Sequence, residues 1–120
     1  MFFRSLFYER TVLSLLEKVQ RLPPNVQAEI ATRVGNYINL ARTASDEASL
    51  ARFATAAVQE REKEIAQGAK SQVDPRWAAP ALAEAWCVAR LGLSNGNLNR
   101  HCAMAIIVAI EAFASKRASA

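Results

Sequence analysis

Pro23-Pro24-Asn25-Val26-Gln27-Ala28-Glu29-Ile30-Ala31-Thr32-Arg33-Val34-Gly35-Asn36-Tyr37-Ile38-Asn39-Leu40-Ala41-Arg42-Thr43-Ala44 sets the pattern for the whole chain. The two prolines end whatever helix precedes them, because proline has no N–H to donate and restricts the residue before it. Asn25 is then the expected cap of a helix over Val26 to Ala44. Val26, Ile30, Val34, Tyr37, Ile38 and Ala41 recur at a period of 3.6, while Glu29, Thr32, Arg33, Asn36, Asn39 and Thr43 fill the other side. Such a stripe is buried against other helices.

The same signals repeat outward in both directions. Upstream, Phe2 to Leu22 reads as one helix, with Tyr8, Val12, Leu15, Leu16, Val19 and Leu22 on one face. Downstream, Ser45 is the expected cap of a third helix, with Asp46 and Glu47 at its positive end and Gly68 closing it. Gln59 to Glu64 is wholly polar, so those turns are expected at the rim of the core. Gly68 to Asp74 is the main loop. Asp74-Pro75 opens a fourth helix, although Pro80 implies either a start near Ala79 or a kink. Ser94-Asn95-Gly96-Asn97 is a turn, and Asn97 is expected to cap a fifth helix ending near Lys116. No segment alternates like a strand. The expectation is an all-α fold, an antiparallel bundle of four to five helices forming a single domain over residues 1–120.

Bulk properties narrow the class. The chain has 120 residues, 52% of them hydrophobic, with only four glycines and four prolines. That length buries a core without metals or disulfides. Net charge is +4, spread along the chain, and the one dense run (Glu60 to Glu64) has mixed sign. A scattered excess argues against a nucleic-acid partner, whose footprint is clustered. The apolar start is broken by Arg4, Glu9 and Arg10, unlike a signal peptide. The apolar run Cys102 to Ile110 is too short to span a bilayer. A soluble bacterial protein of the reducing cytoplasm, without a membrane partner, is expected.

Two helices break the simple pattern. Phe3 and Phe7 fall among Arg10, Ser14 and Lys18 on the polar side of the first. The fifth is apolar nearly all round, with Met104, Ile107 and Val108 on the side that Arg100 and Glu111 mark as polar. Such a helix is either central in the bundle or packed across a subunit boundary. Phe3, Leu6, Phe7, Met104, Ile107 and Val108 are therefore the expected interaction surface, and a homodimer, with a further unidentified protein, the expected partner.

Residues with chemistry form no motif. Cys87, His101 and Cys102 are three soft ligands where structural zinc takes four, so no metal and no cofactor is expected. Cys87 with His101 and Glu84 is the one nucleophile–base–acid set available on paper, a third-ranked reading as a small enzyme. The second-ranked reading is a nucleic-acid binder of helix-turn-helix type, with Arg52, Arg61 and Lys63 on the third helix as DNA contacts. Against it, Asp46 and Glu47 stand where a recognition helix meets phosphate. Ahead of both stands a non-catalytic interaction module: an assembly subunit, an adaptor, or a helical inhibitor or immunity-type protein. The stretch Leu22-Pro-Pro-Asn-Val-Gln-Ala-Glu-Ile30 resembles a helix opening seen in small bacterial antitoxins. The likeness covers nine residues and carries over neither a site residue nor a function.

Overall fold

The computed structural model describes residues 2–70 and 72–115. Five helices follow one another: α1 (Phe2–Val19), α2 (Pro24–Ala41), α3 (Glu47–Ala66), α4 (Pro75–Asn95) and α5 (Arg100–Ala114). No strand occurs among the described residues. The chain is an all-α bundle, with 82% of the described residues helical.

Helix ends follow local chemistry, with several shifts from the sequence expectation. α1 stops at Val19, and residues 20–22 form a turn. There the Gln27 amide donates to the carbonyls of Gln20 and Leu22, at 3.0 and 2.7 Å, taking up oxygens that a helix end leaves open. α2 needs no side-chain cap, since Pro23 is its N-cap residue and Pro24 its first position, where the missing N–H costs nothing. Asp46, not Ser45, caps α3 by accepting from the Ser49 N–H at 2.7 Å. Asp74 caps α4 by accepting from the Arg76 N–H at 2.9 Å, so α4 starts at Pro75 and carries Pro80 inside it. Asn99, not Asn97, caps α5, accepting from the N–H groups of His101 and Cys102. The expected end of α5 near Lys116 falls outside the described residues.

α4 is the central helix. It packs on α3, α2 and α5 and touches α1, and eleven of its residues are buried. Trp86 and Leu82 reach into a core with Val34, Ile38, Ile106, Ile110, Phe113 and Val19. The run of alanines from Ala78 to Ala89 makes this possible, because small side chains let three neighbours approach one helix closely. Its sequence makes α5 either central in the bundle or packed across a subunit boundary, and the central place is taken by α4. α5 instead lies on the outside, with Cys102, Ala103, Ile106, Ile107 and Ile110 inward and Met104 and Val108 outward.

Directions follow from the cross-links. The Ser94 hydroxyl at the end of α4 donates to Glu47 at the start of α3, at 2.6 Å, so these two are antiparallel. The N-cap Asn99 of α5 donates its N–H to the buried Ser5 hydroxyl of α1 at 2.9 Å, and Glu9 of α1 lies beside Cys102 of α5. α1 and α5 therefore run the same way. Lys18 at the end of α1 donates to Gln72, just before α4, at 3.3 Å, so α1 runs against α4. α1, α3 and α5 thus point one way and α4 the other. α1 and α3 both lean on α4 without packing extensively on each other.

A cleft between α1 and α3, floored by α4

The gap between α1 and α3 is a cleft of about 570 Å³. One wall is the face of α1 that carries Phe7, Thr11, Ser14 and Lys18, spaced so that each turn contributes a residue. This is the polar face on which Phe7 looked misplaced in the sequence. The opposite wall is Arg61 of α3, and the floor is Trp77, Ala81, Glu84 and Ala85 of α4.

Arg61 and Glu84 organise the cleft. Their side chains form a half-buried ion pair, 26% and 23% exposed. The Arg61 guanidinium also lies over the Trp77 ring, 5.6 Å from its centroid, in reach of a cation–π attraction. Tyr8 of α1 sits beside the pair. Burial, with the nearby Glu84 charge, pushes its phenol from 10.0 up to about 12, against the opposing pull of Arg61, so the hydroxyl keeps its proton in neutral solution. The mouth is cationic. Arg10 makes no ion pair among the described residues, and Lys18 binds only the neutral Gln72 amide.

The expected interaction residues divide between surfaces. Phe7 is 74% exposed and opens onto this cleft, which no α5 residue lines. Met104 and Val108 are exposed, at 38% and 58%, on the outward side of α5. Ile107 is 4% exposed and belongs to the chain's own core; it lies one step round the helix from the open stripe. Leu6 is half-buried on α1. The Phe3 side chain lies outside the described residues. Glu111, 36% exposed, is tied to the core as well as to solvent: its carboxylate accepts from Trp86 Nε1 at 3.0 Å and pairs with Arg42 at 3.3 Å.

The residues of the other two readings are placed as follows. Arg52 is exposed and donates to Ser49 Oγ at 3.1 Å; Lys63 is exposed; Arg61 is turned inward. Cys87 is fully buried in the core, while His101 is exposed at the start of α5. Burial, with Glu84, pushes the Cys87 thiol from 9.0 up to about 12, opposite to what activates a nucleophile. Burial, helped by Glu9, raises the Cys102 thiol as well. No group of three or more metal-ligating side chains gathers among the described residues.

Sequence reasoning placed Arg61 on a solvated rim and did not connect Trp77 with it. One signal pointed to the cleft. Glu84 is the only charged residue between Arg76 and Arg90 of a helix that is otherwise apolar there, and a carboxylate on such a helix needs a cation from a neighbour. Comparison of the chain with protein-family models, with curated proteins and with solved structures finds no match in any of the three.

Proposed function

We propose that the chain is a non-catalytic protein–protein interaction module that associates with a second copy of itself through the outer side of α5. The observation carrying this reading is the stripe of Met104, Val108 and Ala112, exposed on the outer side of α5 and bordered by one carboxylate, Glu111, whose charge Arg42 balances. The chain carries +4 overall, and this face, where the one nearby pair is neutral, adds little to the repulsion between two copies. A two-fold axis brings one stripe onto its own copy and closes the contact. Burying Met104 and Val108 contributes about 1.5–3 kcal/mol per side chain, counted twice across the axis and set against the cost of association.

Sedimentation equilibrium at micromolar concentration tests it. The wild-type protein is expected at twice 13.1 kDa, and the double variant Met104→Glu, Val108→Glu at the monomer mass with its helical circular dichroism unchanged. A wild-type mass that stays at 13.1 kDa overturns self-association.

A further inference from the structure

We propose that the cleft between α1 and α3 receives an acidic amphipathic helix from a different protein. Its apolar side would meet Trp77, Ala81 and Leu15, and its carboxylates Lys18 and Arg10.

Three observations select this occupant. The first is shape. α1 and α3 run the same way on α4 without packing extensively on one another, and the cleft follows α1 from Phe7 to Lys18. At about 1.5 Å per residue those positions span roughly 16 Å, three turns of a partner helix. The second is hydrogen bonding. The walls are helices whose backbone groups are bonded internally, and no strand edge is present among the described residues. An extended segment would find nothing to pair its main chain with, whereas a helix brings its own bonds. The third is charge. Arg10, Lys18 and Arg61 face a single carboxylate, Glu84, and Glu84 is already held by Arg61. The remaining cations line the cleft eight residues apart along α1, Arg10 on its flank and Lys18 at its end, where they reach acidic residues on an incoming helix. A second copy of this chain, net +4, suits that mouth poorly. A nucleic acid would gain little from an apolar floor of alanines.

The probe is a labelled, hydrocarbon-stapled helical peptide of about twelve residues, the length set by the three-turn cleft, with leucines on one face and glutamates on the other. Its match carries lysine for every glutamate. Fluorescence anisotropy with the full-length protein should show saturable binding of the acidic peptide, about tenfold or more tighter than the lysine peptide. Arg10→Glu with Lys18→Glu, both on exposed α1 positions, should reverse that order. Ser14→Trp fills the cleft from an exposed position and should abolish binding without loss of helicity. Met104→Glu with Val108→Glu should leave peptide binding intact, which separates this inference from self-association through α5. The proposal is overturned if neither peptide binds, if both bind alike, or if Ser14→Trp binds as wild type. It is also overturned if Ser14→Trp converts a dimer to a monomer, which would place a second copy in the cleft, or if labelled duplex DNA binds as tightly as the acidic peptide.

Discussion

Tyr8 and Tyr37 are the only two phenols in the chain, and both are pushed from 10.0 up to about 12, chiefly by burial. Tyr37 also donates to the Phe53 carbonyl and sets its ring edge-on to Phe53, with centroids 6.3 Å apart. Each phenol holds its proton more tightly folded than unfolded. The stabilisation is therefore complete below pH 10 and is lost as pH rises from 10 through about 12. Near-ultraviolet titration should show about a tenth or less of the phenolate at pH 10.5–11 in the native protein, and mostly phenolate there in denaturant; a native curve centred at 10.0 would be the contrary result. Glu111 offers a second test. It accepts from Trp86, which is 2% exposed, so Glu111→Ala should cost about 1–3 kcal/mol in urea unfolding by orphaning a buried donor. Glu111→Gln keeps an acceptor and should cost less. Nothing in the sequence pairs residues 86 and 111. Their meeting depends on which faces α4 and α5 turn to each other, which periodicity within one helix does not specify.

The α4–α5 connection shows what an element requires of single residues. A Cβ on Gly92 would come within 2.5 Å of Leu98 Cγ and 2.8 Å of Leu98 Cβ, so the turn folds back onto α4 only over a glycine. The Leu98 N–H closes the turn by donating to the Gly92 carbonyl at 3.2 Å, and Gly96 ends α4 at φ 77°, where other residues are strained. Gly92→Ala should therefore destabilise by about 1–3 kcal/mol, despite alanine's better helix propensity, and Leu98→Ala in the same chain should restore part of the loss. Chemical denaturation of the two variants decides it. The number and order of helices were legible in the chain because prolines, Gly68 and the Ser94–Asn97 turn punctuate periodic stretches. The caps were less so. Ser45 and Asp46 are both good caps, as are Asn97 and Asn99, and the choice within each pair depends on where the neighbouring helix lets the chain enter. The polar run from Gln59 to Glu64 looked like a solvated rim, but Arg61 there is recruited by Glu84, twenty-three residues away. A cation–carboxylate pair across two helices leaves no spacing signal.

At the scale of the molecule, the apolar excess visible in the sequence divides between two surfaces. Phe7 belongs to the cleft, and Met104 and Val108 to the outside of α5, so substitutions at the two sites should act independently. Phe7→Ser should leave the sedimentation mass unchanged while weakening the acidic peptide, whereas Val108→Glu should do the reverse; a mass change on Phe7→Ser would join the two surfaces into one. No helix among the described residues is long and apolar enough to cross a membrane. The pairing of α1 with α5 also sets an order of assembly. α1 is translated before α4 and α5, yet its inward residues Val12, Leu16 and Val19 find much of their cover on those two helices, and its bond from Asn99 to Ser5 closes a loop of ninety-four residues. Contacts that distant form late, because the loop entropy must be overcome first. Made before the other four helices, α1 should thus be the last of the five to lock. Pulsed hydrogen exchange during refolding should protect α3 and α4 before α1, and protection of all three at one rate would overturn that order.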